Sequence, residues 1–168
     1  MLIRKEEPED IYAIRLLSTA AFGREAEADL VDKLRAANAM TLSLVATEKC
    51  HVVGHIVFSP VIIESERQVI SAVGVGPMAV SPERQGCGIG SQLVEAGLNE
   101  IRKCGHTIVV VLGNPEYYAR LGFLPAGQFG IRWKIDVPNE VFMVKELSEH
   151  ALRGVKGVVK YRPEFEVI

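Results

Sequence analysis

Cysteine is scarce in this sequence, and the few that occur are not arranged as pairs. Cys50, Cys87 and Cys104 are odd in number and far apart, with no C-x-x-C motif among them. This spacing argues against a disulfide framework and a structural zinc site, and it is typical of proteins in a reducing compartment. An excess of positive charge is missing too, because 19 Lys and Arg face 21 Asp and Glu for a formal net charge of −2. Nucleic acid is therefore not expected as the main partner.

Long apolar runs are also absent. The N-terminal residues become charged at Arg4, so no secretory signal region is expected. The densest apolar run, Ile108–Leu112, is far shorter than the ~20 residues of a membrane helix. These features predict a cytoplasmic protein with no membrane partner. The 168 residues, 48% hydrophobic and 24% charged, are typical of a single globular domain, predicted over residues 1–168.

The first part of the chain carries helical patterns. A short strand is predicted at Leu2–Arg4, and Pro8 then opens a helix because proline tolerates the first helical position. A second helix is predicted over about Glu25–Ala37. The apolar faces comprise Ile11, Ile14 and Leu17 in the first helix and Leu30, Val31 and Leu34 in the second.

The next segment switches to extended structure. Three stretches rich in β-branched residues, separated by polar turns, predict an antiparallel meander. Gly74, Gly76 and Pro77 fall inside the third stretch and predict a bulge or a break in its ladder, where something needs close access to the backbone. The three predicted strands are Thr41–Thr47, Val52–Ile62 and Gln68–Val80.

The second half of the chain alternates helix and strand. A long helix is predicted to end near Cys104, with Gly97 on its apolar face allowing close packing, and a buried strand follows at His106–Leu112. Asn114–Leu121 predicts a loop and short helix, and Val141–Glu146 predicts another strand, whereas the last twenty residues show no readable pattern. A meander followed by strand, helix and strand indicates a mixed α+β or α/β domain.

A glycine-rich loop precedes the long helix. Its pattern, Gly86-x-Gly88-x-Gly90, allows a tight turn and leaves backbone N–H groups unobstructed at a helix N-terminus, which favours a phosphate or pyrophosphate. A dinucleotide fingerprint needs G-x-G-x-x-G and an acidic residue after the next strand, and a P-loop ends in Gly-Lys-Ser/Thr. The sequence fits neither pattern, so NAD(P), ATP and GTP are disfavoured. A tight turn without a ligand is the other interpretation.

Two motifs in register resemble the acetyl-CoA signatures of the GNAT N-acetyltransferase superfamily. They are Met78-Ala79-Val80-Ser81-Pro82-x-x-Gln85-x-x-Gly88-x-Gly90-Ser91 and Asn114-Pro115-x-Tyr117-Tyr118-x-x-Leu121-Gly122-Phe123. The resemblance covers nearly the whole chain, and its specific part is Gly76–Phe123. It implies the GNAT-type acyl-CoA N-acyltransferase fold, a mostly antiparallel twisted sheet splayed between its two central strands, with helices on both faces.

The same resemblance implies roles toward acetyl-CoA, the co-substrate. The main chain of Met78, Ala79 and Val80 would pair with the pantetheine arm, and Asn114 would contact that arm from the other side. Tyr118 would protonate the leaving thiolate, although its neighbour Tyr117 is the alternative exposed tyrosine. The pyrophosphate would bind the backbone N–H groups of Gln85, Gly86, Cys87, Gly88, Ile89, Gly90 and Ser91.

The implied reaction is direct transfer of an acetyl group to a primary amine, with no metal. Backbone N–H groups near Met78 and Ala79 would stabilise the oxyanion of the tetrahedral intermediate. The acceptor, a small-molecule or peptide amine, is not encoded in any readable motif, and a homodimer stays open by analogy alone. Because no general base is identifiable, a non-catalytic acyl-CoA-binding sensor on the same fold is the alternative function.

Other candidate groups have an ordinary structural interpretation beside a functional one. Cys87 lies at a helix N-terminus, where a thiol can have a lowered pKa and carry an acyl group, but the favoured interpretation is a small side chain that faces away while its backbone binds the ligand. His51 and His55 share one predicted strand, yet a metal site needs a third ligand that the sequence does not place. Glu25 and Glu27 are candidate acceptor-site carboxylates, and they also suit any solvated helix.

Overall fold

The protein is described by a computed structural model covering residues 1–167. The strands are β1 (Leu2–Lys5), β2 (Leu42–Glu48), β3 (His51–Glu64), β4 (Val69–Val80), β5 (Ile108–Leu112), β6 (Leu124–Pro125), β7 (Ile131–Trp133), β8 (Phe142–Glu146) and β9 (Gly157–Lys160). The helices are α1 (Ile11–Phe22), α2 (Ala26–Ala36), α3 (Ile89–Lys103) and α4 (Pro115–Arg120). Within residues 1–167, none of these helices combines the length and the apolar character that crossing a membrane requires.

All of these strands belong to one mixed sheet. The order is β1-β2-β3-β4-β5-β8-β6, and β9 lies beside both β3 and β7. The predicted meander is confirmed, because β2, β3 and β4 pair antiparallel in sequence order. β4 and β5 then pair in parallel through the crossover made by α3. The sheet is therefore mostly antiparallel, with a parallel junction between β4 and β5 at its centre and a second parallel pair formed by β7 and β9, as the mixed α/β prediction expected.

Helices cover both faces of the sheet. On one face, α1 and α2 bury Ile14 and Leu30 against Val45 and Val57. On the other face, α3 packs on the apolar residues of β2, β3 and β4. Gly97 lies against the Phe58 ring so closely that a Cβ at this position would overlap ring atoms. The predicted close packing of α3 on the sheet is therefore confirmed.

The first helix departs from its prediction at one end. Pro8–Asp10 forms a separate 3-10 turn, and α1 begins after it at Ile11. Ile14 and Leu17 are buried as expected, but Ile11 is 37% exposed and the polar Ser18 is 1% exposed. The buried stripe therefore runs through residues 14, 17 and 18, and Ile11, the first residue of the helix, lies outside it.

The C-terminal segment contributes a strand that the sequence did not predict. β9 extends the sheet beside the far end of β3, where Ile63 pairs with Val159, and it also pairs in parallel with β7. Tyr161 and Phe165 follow β9 and pack into the cores on the α1 and α2 face. The C-terminal segment therefore covers part of the α1 and α2 face of the sheet near the parallel junction of β4 and β5.

Candidate functional site

The two central strands separate almost as soon as they meet. Their parallel pairing comprises two positions, Val73 with Val109 and Gly74 with Val110. Beyond Gly74, β4 continues to Val80 beside β3, and the register shifts opposite the Gly76-Pro77 segment, whose peptide bond is cis. Within residues 1–167, no strand pairs with the other edge of β4 from Val75 to Val80. The predicted break in the ladder is confirmed, and it opens a split between β4 and β5.

Backbone groups of β4 point into this split at alternate positions. The Ser81 N–H donates to the Val53 carbonyl at 2.9 Å, so in an antiparallel ladder the groups of Ala79 also face β3. The N–H and C=O groups of Met78 and Val80 therefore face the split. The Val80 carbonyl already accepts a hydrogen bond from Gln85 Nε2 at 3.1 Å. Since Pro77 has no N–H, Met78 is the first residue after it that offers a donor to the split.

The N-terminus of α3 lies next to this edge and has no side-chain cap. Gly88 is the N-cap residue at φ 85°, Gly86 adopts φ 76°, and the first turn contains no acidic residue. The first N–H groups of a helix have no partner within it, and the helix dipole adds partial positive charge there. Residues 85–88 are exposed. These donors are thus available to an anion of the size of a diphosphate, which fits the predicted loop function.

Gly90 brings three elements together. A Cβ at this position would lie 3.0 Å from Tyr117 Oη of α4 and 3.2 Å from Met78 Cε of β4. Ser91 Oγ donates to the same Tyr117 hydroxyl at 3.2 Å. Tyr117 therefore connects α4 to the start of α3 through this hydrogen bond. The sequence did not indicate this role, because the bond joins residues that are 26 positions apart.

Asn114 caps α4 and lines the β5 side of the split. Its side-chain Oδ1 accepts from the Tyr117 N–H at 3.0 Å, and the residue is exposed. This bond fixes the side chain and leaves its NH₂ group for another partner. The predicted contact from Asn114 to an extended ligand is consistent with this placement.

Tyr118 lies beside Asn114 but is buried. It is 8% exposed, and its ring packs edge-on against Tyr117 and Phe123. A Cβ on Gly113 would lie 2.5 Å from the ring, so the glycine at the end of β5 admits it. Burial, with a smaller effect of Tyr117, raises the pKa of Tyr118 to about 12. Its hydroxyl therefore stays protonated at neutral pH and can act as a hydrogen-bond donor.

A third tyrosine lies at the base of the split, on the opposite face of the sheet. Tyr161 Cε1 lies 2.8 Å from the position that a Cβ of Gly74 would occupy. Burial, and then the nearby Tyr118, raise the pKa of the Tyr161 phenol. Sequence reasoning missed this residue because it lies in the C-terminal segment, where no motif or periodicity marked it.

The two histidines of β3, His51 and His55, lie in different surroundings. His55 is 1% exposed, bonds Ser43 Oγ at 2.8 Å, and has its pKa lowered to about 3 by burial and by the Arg35 charge. His51 is exposed and bonds the Lys49 carbonyl. In the part of the chain that the structure describes, no three His, Cys, Asp or Glu side chains are grouped for a metal ion.

Of the other candidate residues, Glu27 is buried, whereas Glu25 and Cys87 are exposed. Glu27 is buried and forms an ion pair with Arg24, which lowers the pKa of its carboxyl group. The Glu25 side chain is 70% exposed and lies 3.7 Å from Arg15. Cys87 is exposed within the loop. The structure therefore holds Glu27 as a buried ion pair and leaves Glu25 at the surface.

Comparison with known proteins gives concordant matches. The model of the Acetyltransferase (GNAT) domain family matches residues 40–125, which contain the split, the loop and α4. The uncharacterized N-acetyltransferase YhbS of Escherichia coli (strain K12) is 39% identical over 166 residues, covering 98% of each chain. The E. coli YhbS structure in complex with CoA has a TM-score of 0.93 at 38% identity, covering 98% of this chain and 91% of that one. A GNAT family acetyltransferase from Brucella melitensis in complex with acetyl-CoA has a TM-score of 0.79 at 38% identity, covering 98% and 97%.

Proposed function

This chain belongs to the GNAT acetyltransferase family, and we propose that it transfers the acetyl group of acetyl-CoA to a primary amine by direct attack on the thioester. The observation that carries the proposal is the open edge of β4, which lies next to the uncapped N-terminus of α3. Together they form a site for an extended ligand that ends in a diphosphate. A relative at 38% identity was crystallised with acetyl-CoA, which supports this choice of ligand.

The residues present fit acetyl-CoA along its length. The backbone N–H groups from Gln85 to Ser91 bind the pyrophosphate, because residues 85–88 are exposed, the first turn of α3 has no acidic side chain, and the helix dipole places partial positive charge there. Met78 binds the pantetheine arm through its C=O, as a peptide binds the edge of a sheet, which leaves its N–H for the thioester carbonyl. Val80 adds its N–H, while Ala79 holds the strand to β3. The Asn114 NH₂ group contacts the arm from the β5 side.

Acetyl-CoA supplies an activated acyl group in the form of a thioester. The acceptor nitrogen forms a bond to the acyl carbon, the carbon–sulfur bond breaks, and Tyr118 donates its proton to the sulfur. The nitrogen loses one proton to solvent, and Tyr118 is then reprotonated. The Met78 N–H donates to the carbonyl oxygen as negative charge develops there. Loss of one such donor costs about 3 kcal/mol of transition-state stabilisation in a known enzyme.

The protonation states of Tyr118, the leaving thiolate and the acceptor amine agree with these proposed roles. A thiol has a pKa of about 8.5, and burial disfavours its anion just as it disfavours that of a phenol. The same burial that raises the pKa of Tyr118 to about 12 therefore raises the basicity of a thiolate beside it. An amine with a pKa of about 10.4 must lose its charge before it attacks, and desolvation on entry into the split favours the neutral form.

The test combines coenzyme affinity with thiol release. Binding of acetyl-CoA is measured by calorimetry, and CoA release is followed with a panel of polyamines, amino acids, aminoglycosides and peptides with free N-termini. The Tyr118→Phe variant should keep its affinity and lose ~10²–10⁴-fold in kcat, the usual contribution of a positioned acid. Tyr12→Phe is the matched control, because Tyr12 is 72% exposed on α1 and should change neither quantity.

Two results would count against parts of the proposal. Tight coenzyme binding without thiol release from any amine would favour the sensor function over catalysis. Wild-type turnover in Tyr118→Phe would remove the proton-donor role from this residue while leaving the transfer reaction in place.

A further inference from the structure

We propose that Tyr161 determines acyl-chain length, with its ring closing the far side of the split so that an acetyl group fits and longer acyl groups do not. This inference rests on the proposed function, since it assumes that an acyl-CoA thioester enters between β4 and β5. It adds a specificity residue from the C-terminal segment, which the two sequence motifs do not include.

The Tyr161 ring lies against Gly74, at the base of the split. Gly74 is the last residue of β4 that pairs with β5, so it marks the bottom of the split. Tyr161 Cε1 and Cδ1 lie 2.8 and 3.4 Å from the point where a Gly74 Cβ would be. The ring therefore occupies the space that a side chain of residue 74 would otherwise fill.

Tyr161 lies on the face of the sheet opposite α3. Val73 and Val75 belong to the core under α3, together with Tyr118. Since side chains alternate along a strand, Gly74 faces the other side, where Tyr161 packs with Val61 and Val110. The loop at α3 and Tyr118 are thus on one face and Tyr161 is on the other. An acyl group that enters from the coenzyme face and passes between the strands meets the Tyr161 ring.

The Tyr161 ring is held in place by aromatic neighbours. The Tyr161 ring makes an edge-on contact with Trp133 at a centroid distance of 6.1 Å and a tilted contact with Phe165 at 5.1 Å. Phe165 in turn packs on the core formed by α1, α2 and the sheet. Such a well-packed aromatic ring moves only at the cost of disturbing its neighbours. The ring is therefore a fixed wall and not an adaptable lid.

The inference predicts a pattern of affinities that needs no acceptor amine. Calorimetry compares CoA, acetyl-CoA, propionyl-CoA, butyryl-CoA and hexanoyl-CoA. The wild-type protein should bind hexanoyl-CoA about tenfold more weakly than acetyl-CoA, because overpacking a rigid site typically has a cost of this size. Tyr161→Ala should bind the two with similar affinity. Tyr161→Phe is the matched control, since it keeps the ring and should keep the discrimination.

Each outcome of this experiment decides one claim. Equal binding of all acyl-CoAs by the wild-type protein overturns the inference, and so does full discrimination in Tyr161→Ala. Either result leaves the proposed function intact as long as acetyl-CoA binds. Failure of the wild-type protein to bind both CoA and acetyl-CoA overturns the proposed function and the inference with it. If Tyr161→Ala does not fold, Tyr161→Leu provides the same test with a smaller cavity.

Discussion

At the scale of single residues, His55 shows how burial fixes a protonation state. Its imidazole is enclosed on β3 and bonds Ser43, so the charged form is disfavoured and the pKa falls to about 3. The unfolded chain has an ordinary histidine pKa of about 6.5 and takes up a proton first as the pH falls. The free energy of unfolding should therefore decrease between pH 6.5 and about 3.

We expect this single group to remove about 2 kcal/mol of stability between pH 7 and pH 5. The lowered pKa values of Asp10, beside Arg4, and Glu27, beside Arg24, act in the same direction but mainly below pH 5. Urea unfolding at the two pH values measures the loss. In His55→Gln the loss should shrink, whereas in the exposed His51→Gln it should stay. An unchanged pH dependence in His55→Gln would contradict the assignment.

The positions of candidate site residues were predictable where a motif contained them. Asn114, Gly88 and Gly90 lie at the site because each belongs to a short pattern that creates its own turn or cap. Tyr161 and the Ser91–Tyr117 bond were not predictable, since both contacts join segments that are distant in sequence. Burial also could not be predicted for His55, whose neighbours in the sequence are those of any strand.

At the scale of elements, the N-terminus of α3 supports the clearest prediction. Gly88 adopts φ 85°, so Gly88→Ala places a side chain in a left-handed conformation that costs about 1–2 kcal/mol. The strain should also turn the N–H groups of the loop away from the pyrophosphate. We expect lower stability and at least tenfold weaker binding of acetyl-CoA by calorimetry.

Gly154→Ala is the matched control for this change. Gly154 adopts φ 72°, and an added Cβ there would meet no atom within 4 Å. It should lose similar stability in urea unfolding yet bind acetyl-CoA with wild-type affinity. Equal affinities in the two variants would show that the loop backbone does not hold the coenzyme.

The elements themselves were predicted unevenly, for physical reasons. The meander and α3 have long apolar patterns of period two and 3.6, and their positions agree with the structure to within two residues at most ends. β7 and β9 are three and four residues long and pair in parallel with each other. Strands of this length carry too little periodicity to stand out, and tertiary pairing alone defines them.

The sequence also did not predict which backbone groups of β4 face the split. The motif predicted one contact surface over Met78, Ala79 and Val80. The register with β3 divides them, so that Met78 and Val80 face the split and Ala79 faces β3. The register depends on the shift opposite Gly76-Pro77, which the sequence marked as a break without giving its size.

At the scale of the whole molecule, the sheet separates two working faces. Under the proposed function, the coenzyme face comprises the α3 loop, the β4 edge and Tyr118, and the opposite face carries α1, α2 and the C-terminal segment with Tyr161. The split is the passage between them. The proposed function and the proposed role of Tyr161 together would place activation of the thioester on one side of the sheet and recognition of the acyl group on the other.

A crystal structure of the protein with acetyl-CoA tests this account most directly. The account predicts the pyrophosphate on the backbone N–H groups of residues 85–91, the pantetheine arm along β4 at Met78 and Val80, and the acyl methyl facing the Tyr161 ring. Acetyl-CoA bound elsewhere, or a loop left empty at saturating coenzyme concentration, would contradict it.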